Sequence, residues 1–293
     1  MKKLTDNVML LGNGYFNYYI VGQKEAALVE CGTTAGAAIL AQQWAELEEQ
    51  PDIKYLIALH SHFDHACGIP ALKRMFPEAL VVASKTGQKL LGKDRIVKGL
   101  FDYDKVVSDN YLKNGLLDKE PEPPGVDIIT VDIAVGDGDQ IELGDGLRLD
   151  IIDTPGHSIC SISAYLAKDQ VMFISDAAGI QGADKEISPV FFQDYDLTVG
   201  TIKRLMSYPT RVIGVAHGDT LVGGEVEAFY QESLAAAVRC FDLIKDQLAQ
   251  GMEEKVIAAE LYDMFIKDGL LFYPVDMMTG AMSLLIESVK RKL

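Results

Sequence analysis

Short apolar runs punctuated by glycine dominate the first part of the chain. Residues 8–11, 15–21 and 26–30 each read as a strand, separated by Gly12-Asn13-Gly14 and by Gly22-Gln23. A helical pattern from about residue 34 to 49 follows and stops before Pro51. Residues 55–59 are continuously apolar and of strand length, and they deliver His60 at their C-terminal end. Residues 90–124 are different: charged, spotted with Tyr103 and Tyr111, and closed by Glu120-Pro121-Glu122-Pro123-Pro124. They read as a helical insertion over the body, with a solvated loop at 119–124.

A second strand-rich block opens near Ile128. Asp137-Gly138-Asp139 and Gly144-Asp145-Gly146 read as hairpin turns, and 147–152, 171–174 and 211–216 as strands. From Glu225 the apolar period changes from two to between three and four. Val226, Phe229, Tyr230, Leu234, Ala237, Phe241, Ile244 and Leu248 form one amphipathic helix stopped by Gly251. A second stripe runs from Val256 to Phe265, closed by Gly269, and a third covers about 279–292. The expected organisation is a mixed α/β body over 1–224, with the insertion near 90–124, and a helical extension over 225–293.

Composition narrows the function classes. The 293 residues are 48% hydrophobic, enough for a sizeable core, and 27 Lys+Arg against 43 Asp+Glu leave a net charge of −16. That balance argues against a nucleic-acid backbone as partner. It leaves small anionic substrates open, because bound cations would invert the field locally. The N-terminus lacks the apolar run of a signal peptide, and no stretch has transmembrane length, so a cytoplasmic protein with no membrane partner is expected. Cys31, Cys67, Cys160 and Cys240 show no CxxC spacing and read as reduced thiols.

The chemistry lies in the histidines. There are five, and three of them sit in His60-Ser61-His62-Phe63-Asp64-His65. The fourth, His157, follows a Pro-Gly turn, and the fifth, His217, ends an apolar run. Imidazole is the commonest nitrogen ligand for zinc and iron. Ligands so closely spaced cannot all face one ion, so His60 and His62 are candidates for one metal, with Asp64 and His65 reaching a neighbour. His157 completes the first set with an open position for water, as catalytic zinc requires. Asp176 ends another buried run as a candidate bridge, and His217 completes the second set. Phe191, Phe192, Tyr195, Phe272, Tyr273, Met277 and Met278 are candidates for a pocket wall, although ordinary packing is the simpler expectation for each. Cys67 reads as a buried thiol beneath the motif.

The HxHxDH motif, a distal histidine, an aspartate and a final histidine, in this order, resemble the metallo-β-lactamase-fold hydrolases. The resemblance implies a four-layer αββα sandwich with the site at one edge, to which the helical stripes from residue 225 add a C-terminal helical extension. It implies two divalent ions, zinc or iron with manganese as an option. His60, His62 and His157 would hold one ion, Asp64, His65 and His217 the other, and Asp176 both. A shared aspartate is similar to the glyoxalase II-like branch, since the antibiotic-hydrolysing branch usually lacks it. Glu30 departs from the usual aspartate at its position. Segments 27–30, 175–177, 189–192, 272–274 and 280–282 are similar to the 2-aminobenzoylacetyl-CoA thioesterases of quinolone-signal synthesis. That likeness implies a small-molecule acyl substrate and a homodimer through the C-terminal helices.

The expected reaction is hydrolysis of thioesters or related acyl esters by a hydroxide shared between two ions, with Asp64 orienting it and managing its proton. Two alternatives stand beside it: a small-molecule phosphodiesterase, and a regulatory protein that acts through a partner.

Overall fold

The computed structural model describes all 293 residues, Met1–Leu293. Strands β1 (Lys2–Lys3), β2 (Val8–Gly12), β3 (Asn17–Val21) and β4 (Glu25–Val29) open the chain as an antiparallel meander. Helix α1 (Thr34–Ala45) crosses over to β5 (Asp52–Ile57), which pairs parallel to β4. After the short helices α2 (Phe63–Ala66) and α3 (Ile69–Met75), strand β6 (Leu80–Ser84) adds in parallel. Helices α4 (Lys85–Leu91) and α5 (Asp94–Lys113) precede β7 (Ile133–Val135), which completes a seven-stranded sheet in sequence order.

The chain then changes sheets. Strands β8 (Gln140–Glu142), β9 (Arg148–Asp153), β10 (Ile162–Leu166) and β11 (Val171–Ser175) form a second antiparallel meander. A small hairpin, β12 (Ile180–Gln181) with β13 (Ile187–Ser188), follows, and then α6 (Tyr195–Met206). Strand β14 (Val212–Val215) returns parallel to β11, and β15 (Leu221–Val222) closes a six-stranded sheet. Helices α7 (Gly224–Ala249), α8 (Glu254–Phe265) and α9 (Val275–Lys290) end the chain. No helix is long and apolar enough to cross a membrane.

Alternation along the strands sets the layering, because successive side chains point to opposite faces. In β3, Tyr18 and Ile20 join the core beneath α1, α3 and α5, while Tyr19 and Val21 pack between the sheets. In β11, Val171 and Phe173 fill the same inter-sheet core, and Met172 and Ile174 face α6 and α7. The result is an αββα sandwich with a further apolar core among α7, α8 and α9. Tyr19 ties the sheets together, its hydroxyl donating to the Val215 carbonyl at 2.7 Å.

Several local expectations are corrected. Asp137-Gly138-Asp139 does not turn a hairpin; it carries the chain from β7 in one sheet to β8 in the other. The last helix starts at Val275 rather than near residue 279, with Pro274 in extended backbone at its N-cap. The first helix ends at Ala45, four residues short of the expected end, and α4 lies in a stretch without a clear period. Residues 15 and 16 belong to the loop before β3, where they serve the site described next.

Candidate metal centre

All seven predicted ligands converge at one edge of the sandwich, on loops at strand ends. His60 and His62 lie in the loop after β5, and Asp64 and His65 in the single turn of α2. His157 is in the loop between β9 and β10, Asp176 directly follows β11, and His217 follows β14. The left-handed φ of 133° at Gly156 makes the turn that aims His157, and a Cβ there would run into the Thr198 backbone.

Two three-residue clusters result, and a third links them. Ligand atoms of His60, His62 and His157 lie within 4.8 Å of one another, as do those of Asp64, His65 and His217, and those of His60, His65 and Asp176. Asp176 sits at the centre: its Oδ2 is 3.3 Å from His65 Nε2, 3.5 Å from His157 Nε2 and 3.7 Å from His60 Nε2. Its Oδ1 is 3.6 Å from His217 Nε2. The carboxylate thus reaches both clusters.

Four of the five imidazoles are oriented from behind. His65 Nδ1 donates to Glu30 Oε2 at 3.0 Å, His157 Nδ1 to the Val190 carbonyl at 3.2 Å, and His217 Nδ1 to the Tyr15 carbonyl at 2.6 Å. His60 Nδ1 meets Ser175 Oγ at 3.1 Å. These bonds leave Nε2 of all four rings facing inward, and fixing the tautomer this way is what metal-ligating histidines need. His62 presents Nδ1 instead, 3.0 Å from His157 Nε2. Glu30 and Ser175, which hold these rings, are two of the non-glycine residues with left-handed backbone, at φ 72° and 51°. Such strain collects where function over-determines position. The start of β3 also locks the His217 loop: Asn17 Nδ2 donates to the Val215 and Gly218 carbonyls at 3.0 and 2.8 Å.

The donor set fits cations. Paired imidazole nitrogens face one another across 3.0 Å and 3.4 Å, and His60 Nε2, Asp176 Oδ1 and Glu30 Oε1 are buried without a hydrogen-bond partner. Buried polar atoms left unpaired cost free energy, and a cation held between the imidazoles would satisfy the nitrogen and the aspartate oxygen. Burial pushes the His60 and His62 imidazoles below their ordinary range and His157 down to about 3, which keeps them in the neutral, ligating form. Burial acts the same way on His65, but Asp64, Glu30 and Asp176 outweigh it and hold its imidazole well above the ordinary value. Burial also opposes charge on Asp176, yet His65 and His217 hold its carboxyl well below the carboxylate range. The negative charge gathered around His65 is the field a divalent ion would answer.

The sequence pattern assigns Tyr273 to packing first, and here the structure differs. Its hydroxyl donates to Asp64 Oδ2 at 2.7 Å, so the helical extension reaches into the cluster. Phe192 stands beside His157, with ring centroids 5.2 Å apart, whereas Phe191 is buried among α7, α8 and α9. Cys67 is buried, and all four cysteines are free. A cavity of about 760 Å³ opens at the His217 side, between the β12–β13 hairpin and the segment before α9, with Tyr15, Ile187, Leu270 and Tyr273 in its lining. A wider groove of about 1010 Å³ between α5 and residues 120–127 contains no member of either cluster.

This fold and the paired clusters define a metal-dependent hydrolase, and the chain belongs to the metallo-beta-lactamase superfamily, whose pattern matches residues 12–217. It is similar to the metallo-beta-lactamase fold-containing protein ST1585 of Sulfurisphaera tokodaii, 27% identical over 203 residues that cover 69% of this chain and 71% of that one. It is also similar to the putative diflavin flavoprotein A 2 of a Synechocystis species, 23% identical over 88% of this chain, but it spans only 45% of that protein. Among solved structures, the metallo-beta-lactamase family protein TTHA1429 of Thermus thermophilus superposes with a TM-score of 0.64 at 19% identity. That likeness covers 99% of this chain and 95% of the other, the helical extension included.

Proposed function

We propose that this chain hydrolyses thioesters, or acyl esters with similarly good leaving groups, at a dinuclear centre. In this reading His60, His62 and His157 hold one divalent ion, Asp64, His65 and His217 the other, and Asp176 both. Zinc and iron suit this nitrogen and carboxylate set. Two such ions supply an activated water at neutral pH and polarise the acyl carbonyl. The catalytic unit is placed at 1–224, with residues 225–293 as an extension that contributes to its wall.

The observation that carries the choice of substrate is the commitment of every histidine. Four are held through Nδ1 by a neighbour, and His62 Nδ1 faces His157 Nε2. None is left to protonate a departing group. A thiol, with an ordinary pKa of about 8.5, leaves as thiolate without such help, whereas an alkoxide does not. Water adds to the acyl carbon, its proton passes to Asp64 Oδ1, and collapse of the tetrahedral adduct breaks the C–S bond. Asp64 Oδ2 is already engaged by Tyr273. The cavity beside His217 has the volume of a small-molecule site.

The test is a panel of acyl-thioesters, lactones and phosphodiesters on the metal-loaded protein. Thioester turnover is expected; phosphodiester cleavage without thioester turnover would overturn the reading. Asp176→Ala should reduce turnover by about 10²–10³-fold, the scale of a central electrostatic group, with the circular dichroism of the fold retained.

A further inference from the structure

Tyr273 lies in the short turn between α8 and α9, 209 positions from the aspartate it touches. The oxygen it engages, Asp64 Oδ2, is the one that faces the second cluster, 3.6 Å from His65 Nε2 and 3.5 Å from His217 Nε2. Its ring stands edge-on to Phe16, Phe63 and His217, with centroids 6.5, 6.0 and 6.3 Å away. Burying a phenol among such neighbours costs free energy unless its hydroxyl finds a strong acceptor. Here the acceptor is the carboxylate of a candidate metal ligand.

The segment that carries Tyr273 is anchored independently of the cluster. Asn110 Nδ2, from α5, donates to the Phe272 carbonyl at 2.8 Å. The Phe272 ring packs on Tyr15 and Tyr111 with centroids 4.7 and 5.0 Å away. Asp268 accepts from the Ala183 amide at 2.9 Å, tying the same turn to the β12–β13 hairpin. Asp64, by contrast, sits on a helix of four residues, and the hydrogen bond that holds its rotamer is the one from the phenol. A carboxylate oxygen has two lone pairs, so it can face a cation and still accept from the tyrosine.

We propose that Tyr273 is a positioning residue: its hydroxyl selects the Asp64 rotamer that the second cluster needs, and so makes the helical extension a working part of the metal centre. This rests on the dinuclear reading above. Groups that orient a ligand from behind change metal affinity or activity by about 10–100-fold when removed. The effect should fall on one of the two ions, because Asp64 belongs to one cluster.

Tyr273→Phe isolates the hydroxyl while keeping the ring in its apolar seat. Metal-free wild type and variant would be titrated with cobalt(II), following the visible ligand-field bands, and then assayed. One equivalent should bind as in wild type and the other about 10–100-fold more weakly, with an altered band and a lower kcat at unchanged KM. Asn110→Ala, which loosens the anchor without touching either cluster, should shift the same equivalent by less. Unchanged affinity and spectrum in Tyr273→Phe would overturn the positioning role, as would equal weakening of both equivalents. A wild-type chain that takes up one cobalt or none would instead overturn the dinuclear reading.

Discussion

Glu30 stands directly behind His65, one of the candidate ligands. It is buried, it occupies a left-handed backbone conformation, and it accepts from His65 Nδ1 at 3.0 Å. Its charge raises the electron density of the ring and fixes Nε2 toward the second cluster. Glu30→Gln keeps the shape and removes the charge, so zinc affinity at that cluster should drop by about tenfold or more, read by competition with a chromophoric chelator; wild-type affinity would show the charge to be idle. At this scale the candidate ligands were legible because their chemistry is local: HxHxDH packs four into six residues, and the remaining three follow short apolar runs or a Pro-Gly turn. Glu30 was legible only as a departure in size from a family pattern. Tyr273 was legible as an aromatic and not as a donor to Asp64, because a hydrogen bond that spans 209 positions leaves no trace in spacing.

Helix α5 is tied to the start of α1 through Asp104. This carboxylate is buried and accepts from the amide of Thr34, the first residue of α1, at 2.8 Å, while the Thr33 cap takes the Gly36 amide. Burial raises its pKa from the ordinary carboxylate value to about 6. A carboxyl whose folded pKa is raised favours the folded state below its unfolded pKa, and that advantage is lost as pH climbs through about 6. Asp104→Asn abolishes this term. In urea titrations the stability of the variant relative to wild type should therefore rise by about 1 kcal/mol between pH 5 and pH 7.5; a gap that stays constant would mean the carboxyl is not held protonated. The helices of the extension were readable from periodicity, and the strands from alternating or continuous apolar runs. The sheet change at residues 137–139 was not, because the same Asp-Gly-Asp chemistry serves a hairpin and a crossing between layers.

Across the whole molecule, two sheets deliver seven candidate ligands to one edge, and each sheet supplies part of each cluster. His60, His62, Asp64 and His65 come from the first sheet and its following helix, while His157, Asp176 and His217 come from the second. Cations bound between them would therefore clamp the sandwich, and a ligand that binds only the folded state stabilises it by mass action. Chelation should lower the unfolding temperature, and adding zinc back should restore it; a transition unmoved by chelator would mean the edge is held by protein contacts alone. In the proposed function two ions act together on an acyl-thioester. The most direct measurement is thioester hydrolysis by the metal-free chain as zinc or iron is added in known equivalents. Negligible activity is expected without metal, with a rise that levels off at about two equivalents per chain. A plateau at one equivalent, or activity indifferent to metal, would contradict that function.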